Sequence, residues 1–178
     1  MPFMFEDFKP TLKILLRFLL VYLVLLGVYQ FYLNTQEGLD GLSIHIANQC
    51  TLIQNNIGYP SQAIPQPEHN TLWYYVGEEY VSRMVEGCNA VSVIILFIAF
   101  IFAFYRGFKT FIFVFAGVIF LYIINILRIV GINVVLLEYP SYGKAAHDYI
   151  FPAIIYGSVV LLWIIWIKFF VLKDEVQR

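Results

Sequence analysis

Residues 111–137 read FIFVFAGVIFLYIINILRIVGINVVLL. Wound as an α-helix this run is about 40 Å long, against a bilayer hydrocarbon core of about 30 Å. The reading is therefore a membrane span over Phe111–Leu127 that continues toward Leu137 outside the core. Arg128 lies about 25 Å along the helix from Phe111, near a membrane boundary and away from the midplane. Gly131 is a place for the extension to bend. Pro140-Ser141-Tyr142-Gly143 reads as the turn that ends it.

Working outward, three more stretches are long enough to span: Ile14–Leu33, the slightly short Ala90–Tyr105, and Ile150–Leu172. Lys168 is close enough to the end of the last to snorkel. Apolar residues make up 61% of the chain and charged residues 13%, far from a soluble balance. The first span is too long for a signal-peptide core, and no small-x-small cleavage site follows it. The fold expected is an all-α membrane protein with about four transmembrane helices, forming a single integral membrane domain over residues 1–178.

The basic residues orient it. With the N-terminus in the cytoplasm, Lys9, Lys13, Arg17, Arg106, Lys109, Lys168, Lys173 and Arg178 lie inside, and only Arg83, Arg128 and Lys144 lie outside. Acidic residues run the other way: Glu6, Asp7, Asp174 and Glu175 fall inside, and the other eight outside. Both termini are then cytoplasmic. The loop 34–89 and the segment 128–149 face outward. No basic stripe suggests nucleic acid.

The outer loop has internal structure. Leu42, Ile46, Cys50, Ile53 and Ile57 recur at helical spacing, so Leu39–Ile57 reads as an amphipathic helix. It lacks the basic face of a lipid binder, which favours a packed cap over the bundle. The prolines of Tyr59–Asn70 make that segment extended. Leu72–Tyr75 and Tyr80–Val85, parted by Gly77-Glu78-Glu79, read as a small β-hairpin leading into Cys88. A helix through Glu78–Glu86 is also compatible.

Three reactive side chains fall at the outward ends of three spans. Cys88 opens the second, Arg128 closes the third and His147 precedes the fourth. A thiol, a fixed cation and an imidazole are the parts of acyl transfer through a thioester. A helix N-terminus favours the Cys88 thiolate, Gly87 frees the backbone beside it, and Asn89 or Ser92 can start the helix. The plainer reading of Cys88 is a buried inert thiol. For Arg128 it is an interfacial anchor or a salt bridge to Glu86 or Glu138, although a guanidinium beside Ile, Leu and Val usually has a task. Asn125, one turn earlier on the same face, can hold the guanidinium or a substrate amide. His147 is either a general base and acid or an ordinary loop histidine, with Asp148 capping the helix.

Rival readings of the same residues remain. Cys50 and Cys88 share a compartment and can form a disulfide. A zinc site from His45, His69, His147 and a cysteine has no paired-ligand spacing behind it, and no span carries facing histidines for haem. A non-catalytic assembly subunit would dock partners on the outer loop. A thiol oxidoreductase would use Cys50 with Cys88, but there is no Cys-x-x-Cys.

Glu86-Gly87-Cys88-Asn89-Ala90 at the start of one span, Asn125-Ile126-Leu127-Arg128 at the end of the next, and His147 before the last resemble the exosortase/archaeosortase family of membrane cysteine transpeptidases. The resemblance covers roughly Leu72–Val171. It implies catalytic Cys88, Arg128 and His147; Asn125, Asn89 and Glu86 are read beside them as substrate-binding or supporting residues, and no metal or cofactor is expected. It implies exported protein substrates ending in a short motif, a hydrophobic helix and a basic tail. These would be cleaved at the motif, with transfer to an amine or glycan acceptor, on the periplasmic side of a bacterial inner membrane. The chain departs from many relatives in having about four spans where they have about eight. It also has Asn89-Ala90 where they carry small residues such as Ser-Gly.

Overall fold

The computed structural model describes residues 8–173; Glu6, Asp7, Asp174, Glu175 and Arg178 lie outside them. Five helical segments and one small sheet make up the described chain. Helix α1 spans Lys9–Asn34, with Pro10 in its first turn, where a missing N–H is harmless. Helix α2, Gly41–Asn56, is capped by Asp40, whose Oδ1 accepts the Ser43 N–H at 3.0 Å.

Three antiparallel strands follow in the order β1-β2-β3: β1 Ser61–Gln66, β2 Thr71–Val76 and β3 Glu79–Met84. The expected hairpin is there as β2–β3, turning on Gly77 at φ 61°. The extended proline segment is its third strand: Ser61 pairs with Val76, and Pro65 with Leu72. The alternative helix through Glu78–Glu86 is excluded by β3. The expected all-α class is therefore corrected to a mostly helical chain with a three-stranded sheet. A 3-10 turn, Glu86–Asn89, leads from the sheet into helix α3, Val91–Ala103.

Helix α4 runs unbroken from Phe108 to Glu138. Gly131 does not bend it. A Cβ there would lie 3.1 Å from the Phe151 ring, so the glycine admits a close neighbour. Pro140 does not close a turn either. It starts α5, one helical segment over Pro140–Val171 with π-type turns at Ala146–Ile150 and Ile167–Val171. Only Tyr139 separates α4 from α5.

Three helices are long and apolar enough to cross a membrane: α1, α4 and α5. The second expected span is α3, with 13 residues. At 1.5 Å per residue it reaches about 20 Å, short of a hydrocarbon core, so the four expected spans become three and a shorter apolar helix.

Two cores share α4. One, between α2, the sheet and α4, holds Ile46, Ala47, Cys50, Leu72, Tyr74, Met84, Ile126 and Val130. The other, between α3, α4 and α5, holds Phe97, Ile101, Leu121, Ile155, Val159 and Trp166. The buried face of α2 is rotated from the expected stripe. Ser43, Ile46, Ala47, Cys50 and Gln54 are buried, while Leu42 and Ile57 are exposed. Burial of Ser43 and Gln54 is tolerable because both are hydrogen-bonded.

At Gly117 the ring of Phe97 from α3 packs onto the bare backbone of α4: a Cβ would stand 2.3 Å from Cζ of this fully buried residue. Gly117→Ala is expected to destabilise the fold by about 1–3 kcal/mol through overpacking. Gly27→Ala, with nothing within 4 Å of the added Cβ, is expected to cause no loss. Thermal unfolding of the two variants in the same detergent checks the difference.

A candidate active site at the sheet-bearing end of the bundle

Cys88 lies in the 3-10 turn Glu86–Asn89, not in the first turn of α3. What sets its position is the residue after it. Asn89 is buried, and its Oδ1 accepts the Val91 N–H at 3.0 Å, satisfying one open donor of α3. Its Nδ2 donates to Tyr29 Oη at 2.8 Å and Ser43 Oγ at 3.1 Å. Ser43 Oγ in turn donates to Asp40 Oδ2 at 2.6 Å. The buried Asp40 carboxylate thus fixes Asn89, and with it the turn that carries the thiol. Ala90 then takes a left-handed conformation, φ 59°, which a residue with a Cβ adopts only under constraint.

Helix α4 holds the other side of the turn. Asn125 Nδ2 and Arg128 Nη2 both donate to the Cys88 carbonyl oxygen, at 3.1 and 3.2 Å. Asn125 therefore holds the cysteine backbone and not the guanidinium. It is 1% exposed, and its Oδ1 has no partner among the described residues. Arg128 is half-buried and makes no ion pair with Glu86 or Glu138 among the described residues. One of its five N–H donors is used by Cys88. Glu86 opens the 3-10 turn, and its carboxylate makes no hydrogen bond or ion pair among the described residues.

His147 is carried on the π-type turn of α5, a distortion common at functional positions. Asp148 does not cap the helix. Its Oδ1 lies 2.9 Å from His147 Nδ1. A carboxylate only accepts, so a neutral His147 carries its proton on Nδ1 and leaves Nε2 as the basic nitrogen. The side chain is 75% exposed.

Cys88, Arg128 and His147 line one cavity of about 190 Å³. Its walls also hold Tyr74, Ser82, Arg83, Met84, Gly87, Ile129, Ile132, Asn133, Leu136, Phe151 and Pro152. Among the described residues no hydrogen bond joins the Cys88 thiol to His147 or Arg128. The three groups share a wall-space that a substrate would fill between them. Its lining residues include Arg83, Arg128 and His147 and no Asp or Glu, a composition that suits negative charge.

Some of this wall was not anticipated from the sequence. Asn133 is fully buried, accepts from Ser82 Oγ at 2.5 Å and donates to Gln54 Oε1 at 3.2 Å, so it ties α4 to β3 and α2. Its signal was its place in the apolar run, eight residues after Asn125. Tyr74 is buried between the two cysteines, its hydroxyl donating to Met84 Sδ at 3.7 Å. Burial, reinforced by Cys50, raises its phenol above the usual range and keeps it neutral.

Cys50 and Cys88 are both free, and Cys50 is fully buried in the core between α2, the sheet and α4. Its Sγ lies 3.9 Å from the Ile126 carbonyl. Burial pushes its thiol up to about 12, despite Arg128 and a hydrogen bond with Tyr74 acting the other way. No group of three or more metal-ligating side chains exists among the described residues, so His45, His69 and His147 do not converge.

At pH 8 a thiol with a pKa of about 12 is only about 10⁻⁴ thiolate, and thiolate is the reactive form. In Cys88→Ser protein, maleimide labelling at Cys50 is expected to be very slow at pH 7 and to rise about tenfold per pH unit up to pH 9 without a plateau. Cys50→Ser protein is expected to label at Cys88. Mass spectrometry of both, over that pH range, checks this.

No protein-family model, no curated protein and no solved structure matches this chain.

Proposed function

We propose that this chain is an exosortase-like membrane cysteine transpeptidase. It processes the C-terminal sorting signals of exported proteins at the periplasmic face of a bacterial inner membrane, with both termini cytoplasmic. The observation that carries the reading is the single cavity lined by Cys88, Arg128 and His147. Three long apolar helices, α1, α4 and α5, support membrane residence.

In this mechanism the Cys88 sulfur attacks the scissile carbonyl carbon, and its proton passes to Nε2 of His147. Asp148 on Nδ1 holds the ring in the required tautomer. The guanidinium of Arg128, anchored on the Cys88 carbonyl, faces the oxyanion as it forms. The carbon–nitrogen bond breaks, and the same proton leaves with the amine of the hydrophobic tail. Water or an acceptor amine then attacks the thioester, gives a proton to Nε2, and releases the sulfur, which takes that proton back. No metal or cofactor is needed for any step.

Cys88→Ala is expected to abolish processing. His147→Ala is expected to slow it about 10²–10⁴-fold, and Arg128→Ala about 10²–10³-fold. All three proteins should remain in the membrane. The test follows precursors that end in a hydrophobic helix and basic tail, by size and by C-terminal peptide mapping. Normal processing in Cys88→Ala cells would overturn the proposal.

A further inference from the structure

The cavity touches Ser82, Arg83 and Met84 of β3 in succession. Neighbouring residues of a strand point to opposite faces of its sheet. Ser82 and Met84 pair with Tyr74 and Leu72 and face the core, while Arg83 pairs with Trp73 on the other face. The space also touches Tyr74 of β2 on the core face, so it lies at that face, and its contact with Arg83 between Ser82 and Met84 brings it to the β3 backbone beside the outer edge. That edge is unpaired, since the sheet order is β1-β2-β3 and β2 occupies the other side of β3.

The two edges of this sheet differ. β1 contains Pro65, which removes a donor and blunts strand addition. β3 contains no proline, and the chain runs from it through Val85, Glu86 and Gly87 to the cysteine. An open edge three residues long, about 10 Å, thus borders the same cavity as the thiol. The geometry points to β3 as the docking edge for an extended substrate peptide. The segment beside the scissile bond adds as a fourth strand along Ser82–Met84, and this backbone pairing delivers its carbonyl to Cys88. Arg128 on the cavity wall, with no Asp or Glu among the lining residues, disfavours a basic segment there. The inference rests on Cys88 being the nucleophile proposed above.

The test reacts the purified full-length protein with acetyl-oligoalanine chloromethyl ketones of one, two and four residues, and with 2-chloroacetamide as a small control. In each case the sulfur displaces chloride ion, and mass spectrometry follows the Cys88 adduct. The rate is expected to rise about tenfold or more from one residue to four, the worth of one or two net main-chain hydrogen bonds. N-methylation of one alternate set of peptide amides should remove the gain, and of the other set should not. Amide exchange at Ser82–Met84 is expected to slow about tenfold in the tetrapeptide adduct and not in the chloroacetamide adduct. Length-independent rates with unchanged exchange would overturn strand addition and leave Cys88 as nucleophile untouched. Slow exchange at this edge before labelling would also overturn it, because another occupant, such as a second copy of the chain, already pairs there. Failure of Cys88 to react even with chloroacetamide would sink the nucleophile reading, and this inference with it.

Discussion

The carbonyl oxygen of Cys88 accepts two hydrogen bonds from one helix, and the candidate site depends on them. Asn125 and Arg128 stand one turn apart on α4, so their side chains reach the same point. This clamp joins the turn after the sheet to the 31-residue helix that both cores share. It gives a guanidinium beside apolar side chains a partner without neutralising it. An ion pair would have satisfied Arg128 equally well and removed its charge from the cavity. A bond to a neutral carbonyl keeps that charge available to a reacting group.

Polar side chains in an apolar chain fix position where apolar packing alone is permissive. Two buried networks do this here. Asp40, Ser43, Asn89 and Tyr29 join α1, the start of α2 and the cysteine turn. Gln54, Asn133 and Ser82 join the far end of α2, α4 and β3. The first holds the cysteine turn against α1 and α2, and the second holds β3 against α2 and α4. Apolar residues of that size would fill the same space but leave the register of the strands less strongly specified.

The long apolar runs were legible because hydropathy and length decide them, and the hairpin because its residues alternate around Gly77. The spans' ends were not. Pro140 read as a turn, yet proline suits the first turn of a helix as well, and only the packing against α4 selects between these. Gly131 read as a bend because sequence shows an absent side chain but not the Phe151 ring that uses the space. The outer helix was found, but its buried face was misread. Ranking by hydrophobicity favoured Leu42 and Ile57, while hydrogen-bond partners from distant segments buried Ser43 and Gln54. The same blindness to distant partners hid Asn133, Ser82 and Asp40. Cys88, Arg128 and His147 were legible as a group because each stands alone as a reactive side chain at the end of an apolar run.

Helix lengths in this bundle are unequal, and this bears on the surrounding lipid. Helix α3 reaches about 20 Å, whereas α4 and α5, with 31 and 32 residues, reach about 46–48 Å. A hydrocarbon slab of about 30 Å matches neither, and such hydrophobic mismatch is ordinarily relieved by thinning the bilayer or tilting the helix. Here the short helix is largely screened: Ile95, Phe97, Ala99, Ile101 and Ala103 are all buried. Its flanks are therefore covered mostly by neighbouring helices. At one end the sheet and the cysteine turn lead into it. A polar, strand-bearing segment is thereby set directly against the end of an apolar helix too short to span by itself.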